Sequence, residues 1–356
     1  MMALDLTGGL PLSREDMFDK APDNPEMREA VNIWLQDDEG RFSLPRIGIE
    51  AVGAQWDRPT VLANMAFADG RVLIGSCEGV AHSPLDERGR PTRMGAGPIS
   101  FRCVEPFARW TMSFEGDALY TSIEDQVRGV IPDGPRVDVE IQVEMTMVVP
   151  PWIQGQMGEE ARARLENGRT EALLMGGERY EQLFTATGML RVGMETTKFN
   201  GRGLRIHRQG VRDITEFRGH CWQSAVFPSG KAFGYIGFPD HDSGEQAYRE
   251  GYVFDGERMY PAVIVEAPWM HSFEPFGAKV PLVLQSALGE HRIDGVTVST
   301  TAVAPANFGA DVVTKNAGGH LAVAVFLQQG TARYTWDGES THGMVERSFP
   351  ANRMRP

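Results

Sequence analysis

The chain has 356 residues, 42% of them apolar, and its 35 Lys and Arg stand against 48 Asp and Glu for a formal net charge of −13. Such a surface repels a phosphate backbone on average, which argues against nucleic acid or an anionic membrane as partner. The length exceeds the usual size of one hydrophobic core, so two domains are expected, with a single large β-domain as the alternative.

The N-terminal stretch MMALDLTGGLPLSREDMFDK lacks a basic segment followed by an apolar one, so it does not read as a secretory signal. No apolar run approaches the roughly 18 residues of a membrane span. A cytoplasmic protein without a transmembrane segment is expected. Cys77, Cys103 and Cys221 show no C-x-x-C spacing, which fits free thiols in a reducing compartment. His82, His241, His271, His291, His320 and His342 are scattered without ligand spacing, so no metal is expected.

From residue 33 one pattern recurs: an apolar run, a short Asp/Ser-Gly turn, an apolar run. It appears in IWLQDDEGRFSL (33–44) and ANMAFADGRVLIGS (63–76), then in QSAVFPSGKAFGYIGF (223–238), GYVFDGERMYPAVIV (251–265) and ARYTWDGES (332–340). Glycine supplies the positive φ of tight hairpins, and β-branched or aromatic flanks prefer pleated strands. Between these units GSCEG (75–79) has the spacing of a nucleophile elbow, but the loop-like VAHSPLDERGRP follows where that motif requires a helix. RVDVEIQVEMTMVV (136–149) alternates apolar and polar residues with period two, the mark of a half-buried antiparallel strand. MGEEARARLENG (157–168) reads as a helix with an Asn-Gly stop. A junction is placed near 170–180, at Gly176-Gly177. The reuse of similar turns in both halves is weak evidence of duplication. EAPWMHSFEPFG (266–277) reads as an aromatic loop that packs under a strand or caps an apolar pocket.

Residues 205–223, RIHRQGVRDITEFRGHCWQ, gather four arginines, two histidines, two acids and a tryptophan. On a strand over 216–227, Glu216, Arg218, His220, Trp222 and Ser224 share one face. That mixture suits the lining of a ligand cavity, where a few polar groups converge among apolar walls; the competing reading is an arginine-carboxylate network that holds a junction together. Asp213 is placed to orient His207 or His220, or to pair with Arg212 or Arg218.

YEQLFTATGMLRVGMETTKFNGRGLRIHRQGVRD (180–213) and GHCWQSAVFPSGKAFGYIGF (219–238) resemble the two-domain lipocalin-like proteins related to carotenoid 1,2-hydratase and the AttH-like proteins. The resemblance is best over about 180–260. It implies an all-β fold of two antiparallel lipocalin-like (calycin) β-barrel or sandwich domains with short helices, divided at 1–177 and 178–356, around an apolar ligand site. The family's hydratases use a His-x-Trp and a Tyr-x-Asp to add water to apolar polyenes, and fungal Diels-Alder cyclases share a similar architecture. His220-Cys221-Trp222 matches the first element. No Tyr-x-Asp occurs, Tyr252 and Asp255 being three apart, and the family's His-x-Trp-Gly is replaced by His207-Arg208-Gln209-Gly210.

The expectation is a cofactor-independent lyase or isomerase, of the hydration, dehydration or cyclisation kind, acting on a hydrophobic small molecule. Its catalytic set is His220, Asp213, Glu216 and His207, and its substrate-binding set Trp222, Arg218, Tyr252, Tyr235 and Trp269. A non-catalytic carrier of an apolar ligand is the alternative, and a homodimer is left open as a partner.

Overall fold

The structure is a computed structural model that describes residues 4–130, 134–157, 159, 162, 163, 166, 178–214, 217–241, 243–303 and 325–350. Strand accounts for 59% and helix for 5%, the all-β class expected. The first half supplies β1 (Met27–Asp37), β2 (Phe42–Val52), β3 (Thr60–Phe67), β4 (Arg71–Ile74), β5 (Cys77–Glu78), β6 (Arg93–Ala96), β7 (Ile99–Glu105), β8 (Arg109–Ser122), the short helix α1 (Ile123–Val127) and β9 (Arg136–Met147). There follow β10 (Glu178–Val192), β11 (Glu195–Val211), β12 (His220–Val226), β13 (Ala232–Gly237), β14 (Arg249–Phe254), β15 (Met259–Glu266), β16 (Leu282–Ser286), β17 (Gly289–Val303), β18 (Val325–Trp336) and β19 (Glu339–Pro350).

The five hairpins anticipated from turn chemistry are present, as β1–β2, β3–β4, β12–β13, β14–β15 and β18–β19. Their turns need a left-handed residue, and Gly230 at φ 89° and Gly256 at φ 106° supply it without the penalty a Cβ would bring. β9 alternates as expected: Val139, Ile141, Val143, Met145 and Met147 are buried while Asp138, Gln142 and Glu144 are exposed. The Cys77–Glu78 pair of the GSCEG segment is a strand added to β3. The helix expected over 157–168 falls mostly outside the described residues.

The first sheet runs β4-β3-β2-β1-β11-β10-β9-β8-β7-β6, and β4 also pairs β8, so the strands from β4 round to β8 close on themselves. β12 to β19 form a second closed barrel in simple sequence order. The chain therefore passes from one to the other between Val211 and His220, later than the expected junction near 170–180. β10 and β11, assigned by the sequence to the second unit, complete the first: β11 pairs with β1, Met27 against Val211. That pairing is non-local, and neither composition nor a glycine pair marks it.

Three cores result. One fills the first barrel, around Ile33, Ile49, Phe101, Trp110, Ile141 and Phe184. Another fills the second, around Phe233, Tyr235, Leu282, Leu284, Tyr334 and Val345. The third lies between them and draws Trp34, Leu183, Leu204 and Ile206 from the first barrel and Trp222, Ile236, Tyr248 and Tyr252 from the second.

Candidate functional site between the barrels

Strand alternation sends the crowded segment to two different places. On β11, Arg205 and His207 turn into the first barrel, beside Trp110, while Leu204 and Ile206 turn outward into the shared core. On β12, Cys221 and Ala225 fill the second barrel, while Trp222 faces the first. β12 and β19 meet β11, β19 meets β1, and β12 also meets β10, so their outer faces make a seam.

Backbone register orders the seam. On the first barrel one cross-strand row reads Arg179, Arg208, Ala30, Glu50; the next Glu181, Ile206, Asn32, Gly48; the third Leu183, Leu204, Trp34. On the second barrel Ser348 stands beside His220, the next row reads Gln329, Glu346, Trp222, Ile236, Glu250, and the third Thr331, Met344, Ser224, Gly234, Tyr252.

Indoles join the two surfaces. Trp34 and Trp222 meet edge to face with ring centroids 4.8 Å apart. Trp34 Nε1 donates to Glu346 Oε2 at 3.2 Å and Trp222 Nε1 donates to Glu181 Oε2 at 3.1 Å, each crossing from one barrel to the other. Arg179 lies over the Trp222 ring at 5.0 Å and pairs with Glu181, which also accepts from Gln154. Tyr252 packs on Trp152 at 5.1 Å.

His220 sits at the head of this surface with both ring nitrogens engaged. Nε2 meets Glu346 Oε1 at 3.0 Å and Nδ1 meets Ser348 Oγ at 2.6 Å. With the proton on Nε2 donated to the carboxylate, Nδ1 accepts from the serine hydroxyl, so carboxylate, imidazole and hydroxyl are joined in the order that makes an imidazole a base. Burial pushes Glu346 up, but its hydrogen bond with His220, helped by nearby positive charge including Arg46 and by the Gln329 hydrogen bond, holds the carboxyl below its ordinary value. Burial has the opposite outcome at Glu250, whose carboxyl is raised although it accepts from Tyr248 and from Gly155 N at 2.7 Å. Glu181 is likewise raised by burial despite Arg179. Carboxyls driven apart in this way can serve as base and acid at one pH.

Of the residues picked from sequence, the seam brings together His220, Trp222 and Tyr252. His207 lies instead inside the first barrel, with Nδ1 at 3.1 Å from the Tyr180 hydroxyl and Nε2 at 3.6 Å from Glu29. There Glu15, carried in by the N-terminal segment, accepts from Arg205 and from Tyr180, each at 2.6 Å. Tyr235 is inside the second barrel, its hydroxyl donating to Gln223 at 3.0 Å. Arg218 contacts His241 at 3.3 Å, and Arg249 covers the half-buried Trp269 at 5.0 Å, outside the cross-strand rows of the seam. Asp213 is exposed, and the partners that hold the two histidine rings are those named above. Glu216 is outside the described residues. Sequence reasoning missed Glu346, Ser348, Glu181, Glu250, Trp34 and Arg208. The available signal was polar residues at alternate positions of otherwise apolar strands, as in Met344-Val345-Glu346-Arg347-Ser348. Among the described residues no cluster of His, Cys, Asp and Glu is arranged to hold a metal ion.

This is an antiparallel double-barrel protein with a polar line set into the apolar seam between its barrels. The chain belongs to the family of the domain of unknown function DUF7064, whose model matches residues 14–351. Among solved structures it resembles an AttH-like protein from Nitrosomonas europaea, at 13% identity and a TM-score of 0.53, covering 94% of this chain and 98% of that one. It resembles CghA at 11% identity and a TM-score of 0.53, covering 92% and 89%. CghA solved with Sch210972 matches at 9% identity and a TM-score of 0.50, again covering 92% and 89%. These likenesses show the fold, which the chain shares with each of these structures. No curated protein matches the sequence.

Proposed function

We propose that the protein is a cofactor-independent lyase or isomerase of the hydration, dehydration or cyclisation kind, working on a hydrophobic small molecule held between its barrels. The observation that carries the reading is the Glu346–His220–Ser348 chain, a proton-transfer arrangement set at the head of an apolar, indole-rich surface. His220 takes or gives the proton, Glu346 holds its ring and stabilises the imidazolium, and Ser348 extends the relay. Glu250, kept high by burial, is the acid at the far end of the same row. Trp222, Trp34 and Tyr252 line the ligand and favour cationic character through their π faces. The resemblance to the hydratase-related family through His220-Cys221-Trp222 agrees with this, and a protein of the same fold has been solved with Sch210972.

The test is incubation of purified protein with compounds extracted from it and their close chemical relatives, followed by mass analysis. A gain or loss of water, or an isobaric product at a new retention time, is expected, and His220→Ala and Glu346→Gln should each slow that conversion, the histidine by ~10²–10⁴-fold. The second reading, a carrier, is favoured by one observation: both His220 nitrogens already have protein partners. A carrier returns every compound unchanged from the wild-type protein, and its His220→Ala variant changes affinity alone; that pair of results would overturn the enzyme assignment.

A further inference from the structure

Like charges directly opposite on neighbouring strands repel, and a buried guanidinium stays protonated, so it needs an anion close by. Arg179 on β10 and Arg208 on β11 face each other in one row on the outer surface of the first barrel, and they are 6% and 4% exposed. Arg179 is paired with Glu181. Arg208 has no hydrogen bond or ion pair among the described residues, and its Nε is buried without an acceptor.

Glu50 shares the row, but it is bridged by Arg46, and its second oxygen accepts no hydrogen bond. Arg28 and Arg212, each with contacts of its own, add positive charge around Glu50, and Arg212 adds it around Arg208 as well. Burial, then Arg212 and Arg179, act against the charge on Arg208, while Glu50 supports it. The carboxylate that supports the charge on Arg208 is thus one that Arg46 already bridges. One step along the strands Ile206 stands between Glu181, which is held by Arg179 and Trp222, and Asn32; the row after that, Leu183, Leu204 and Trp34, is apolar.

We propose that Arg208, with Arg179 opposite it, receives the carboxylate of an otherwise apolar ligand whose body lies along Ile206, Leu204 and the Trp34–Trp222 pair. The guanidinium fork matches a carboxylate in two parallel hydrogen bonds, and the apolar side chains beyond it match a hydrocarbon. The inference rests on the reading of the seam as the ligand site and adds the class of ligand: an apolar carboxylic acid.

Titration calorimetry on the full-length protein with decanoate, decanol and inorganic phosphate tests it. Decanoate should bind roughly 10–100-fold more tightly than decanol, the difference a charged hydrogen-bonded pair makes, and phosphate alone should not displace it. Arg208→Met should erase the preference, bringing decanoate and decanol to equal affinity. Because it removes a buried charge and keeps the volume, this variant should also melt at a higher temperature without ligand than the wild type. Equal affinity of the wild type for decanoate and decanol overturns the head-group assignment and leaves the seam as an apolar site. Binding of neither overturns the seam as a ligand site as well. Displacement of decanoate by inorganic phosphate makes the site a phosphate site and overturns the carboxylic acid, and an Arg208→Met variant that keeps the preference removes Arg208 from the site.

Discussion

At the scale of single residues, burial decides reactivity. Burial first, then the neighbouring Glu15, pushes the Cys103 thiol up to about 12, and burial pushes the Cys221 thiol up to about 11; partial burial and Asp117 raise Cys77 too, but its side chain is exposed to reagent. The thiolate is the reactive form, so a disulfide-exchange reagent should titrate one cysteine quickly in the native protein and all three after denaturation. Two fast thiols in the folded state would contradict the packing of both barrels. The same scale shows what sequence can and cannot reveal about the site. His220 and Trp222 were legible because strand alternation is a local rule. Their partners were not: Glu346 lies 126 residues from His220 and Trp34 lies 312 residues from Glu346, and only the closure of the barrels brings them together.

At the scale of elements, hairpins were read correctly because a turn and its flanks are adjacent in the chain. Seam packing depends on tighter constraints. Gly234 on β13 stands opposite Tyr252 on β14, and a Cβ there would come within 2.5 Å of the tyrosine ring and 3.1 Å of its hydroxyl. The ring lies across the glycine, which is how Tyr252 stays in the seam against Trp152. Gly234→Ala should therefore cost about 1–3 kcal/mol, the usual penalty of overpacking, read as a lower urea midpoint at unchanged m-value. An unchanged midpoint would mean that Tyr252 is free to move aside. The pairing of β11 on β1 could not be read from sequence for the opposite reason, since a closure between distant segments leaves no mark in either one.

At the scale of the whole molecule, the two barrels share a core with indole hydrogen bonds running across it in both directions. Neither barrel can lose its structure without exposing apolar surface of the other, so calorimetry should show a single transition with equal calorimetric and van't Hoff enthalpies. Two resolved transitions would show that the seam contributes little. The pairing of β1 with β11 also sets a timetable for synthesis. β1 is finished early, yet its partner emerges only after everything up to Val211 has been made. Until then one edge of β1 is exposed while the ribosome works through β2 to β10, and an open apolar edge invites pairing with other chains. The second barrel, built from neighbours in sequence order, closes when β19 reaches β12. The nascent chain therefore depends on protection through its first two hundred or so residues, and slowing translation within β2 to β10 lengthens the exposure, whereas slowing it after Val211 lets the first barrel close before the second is made.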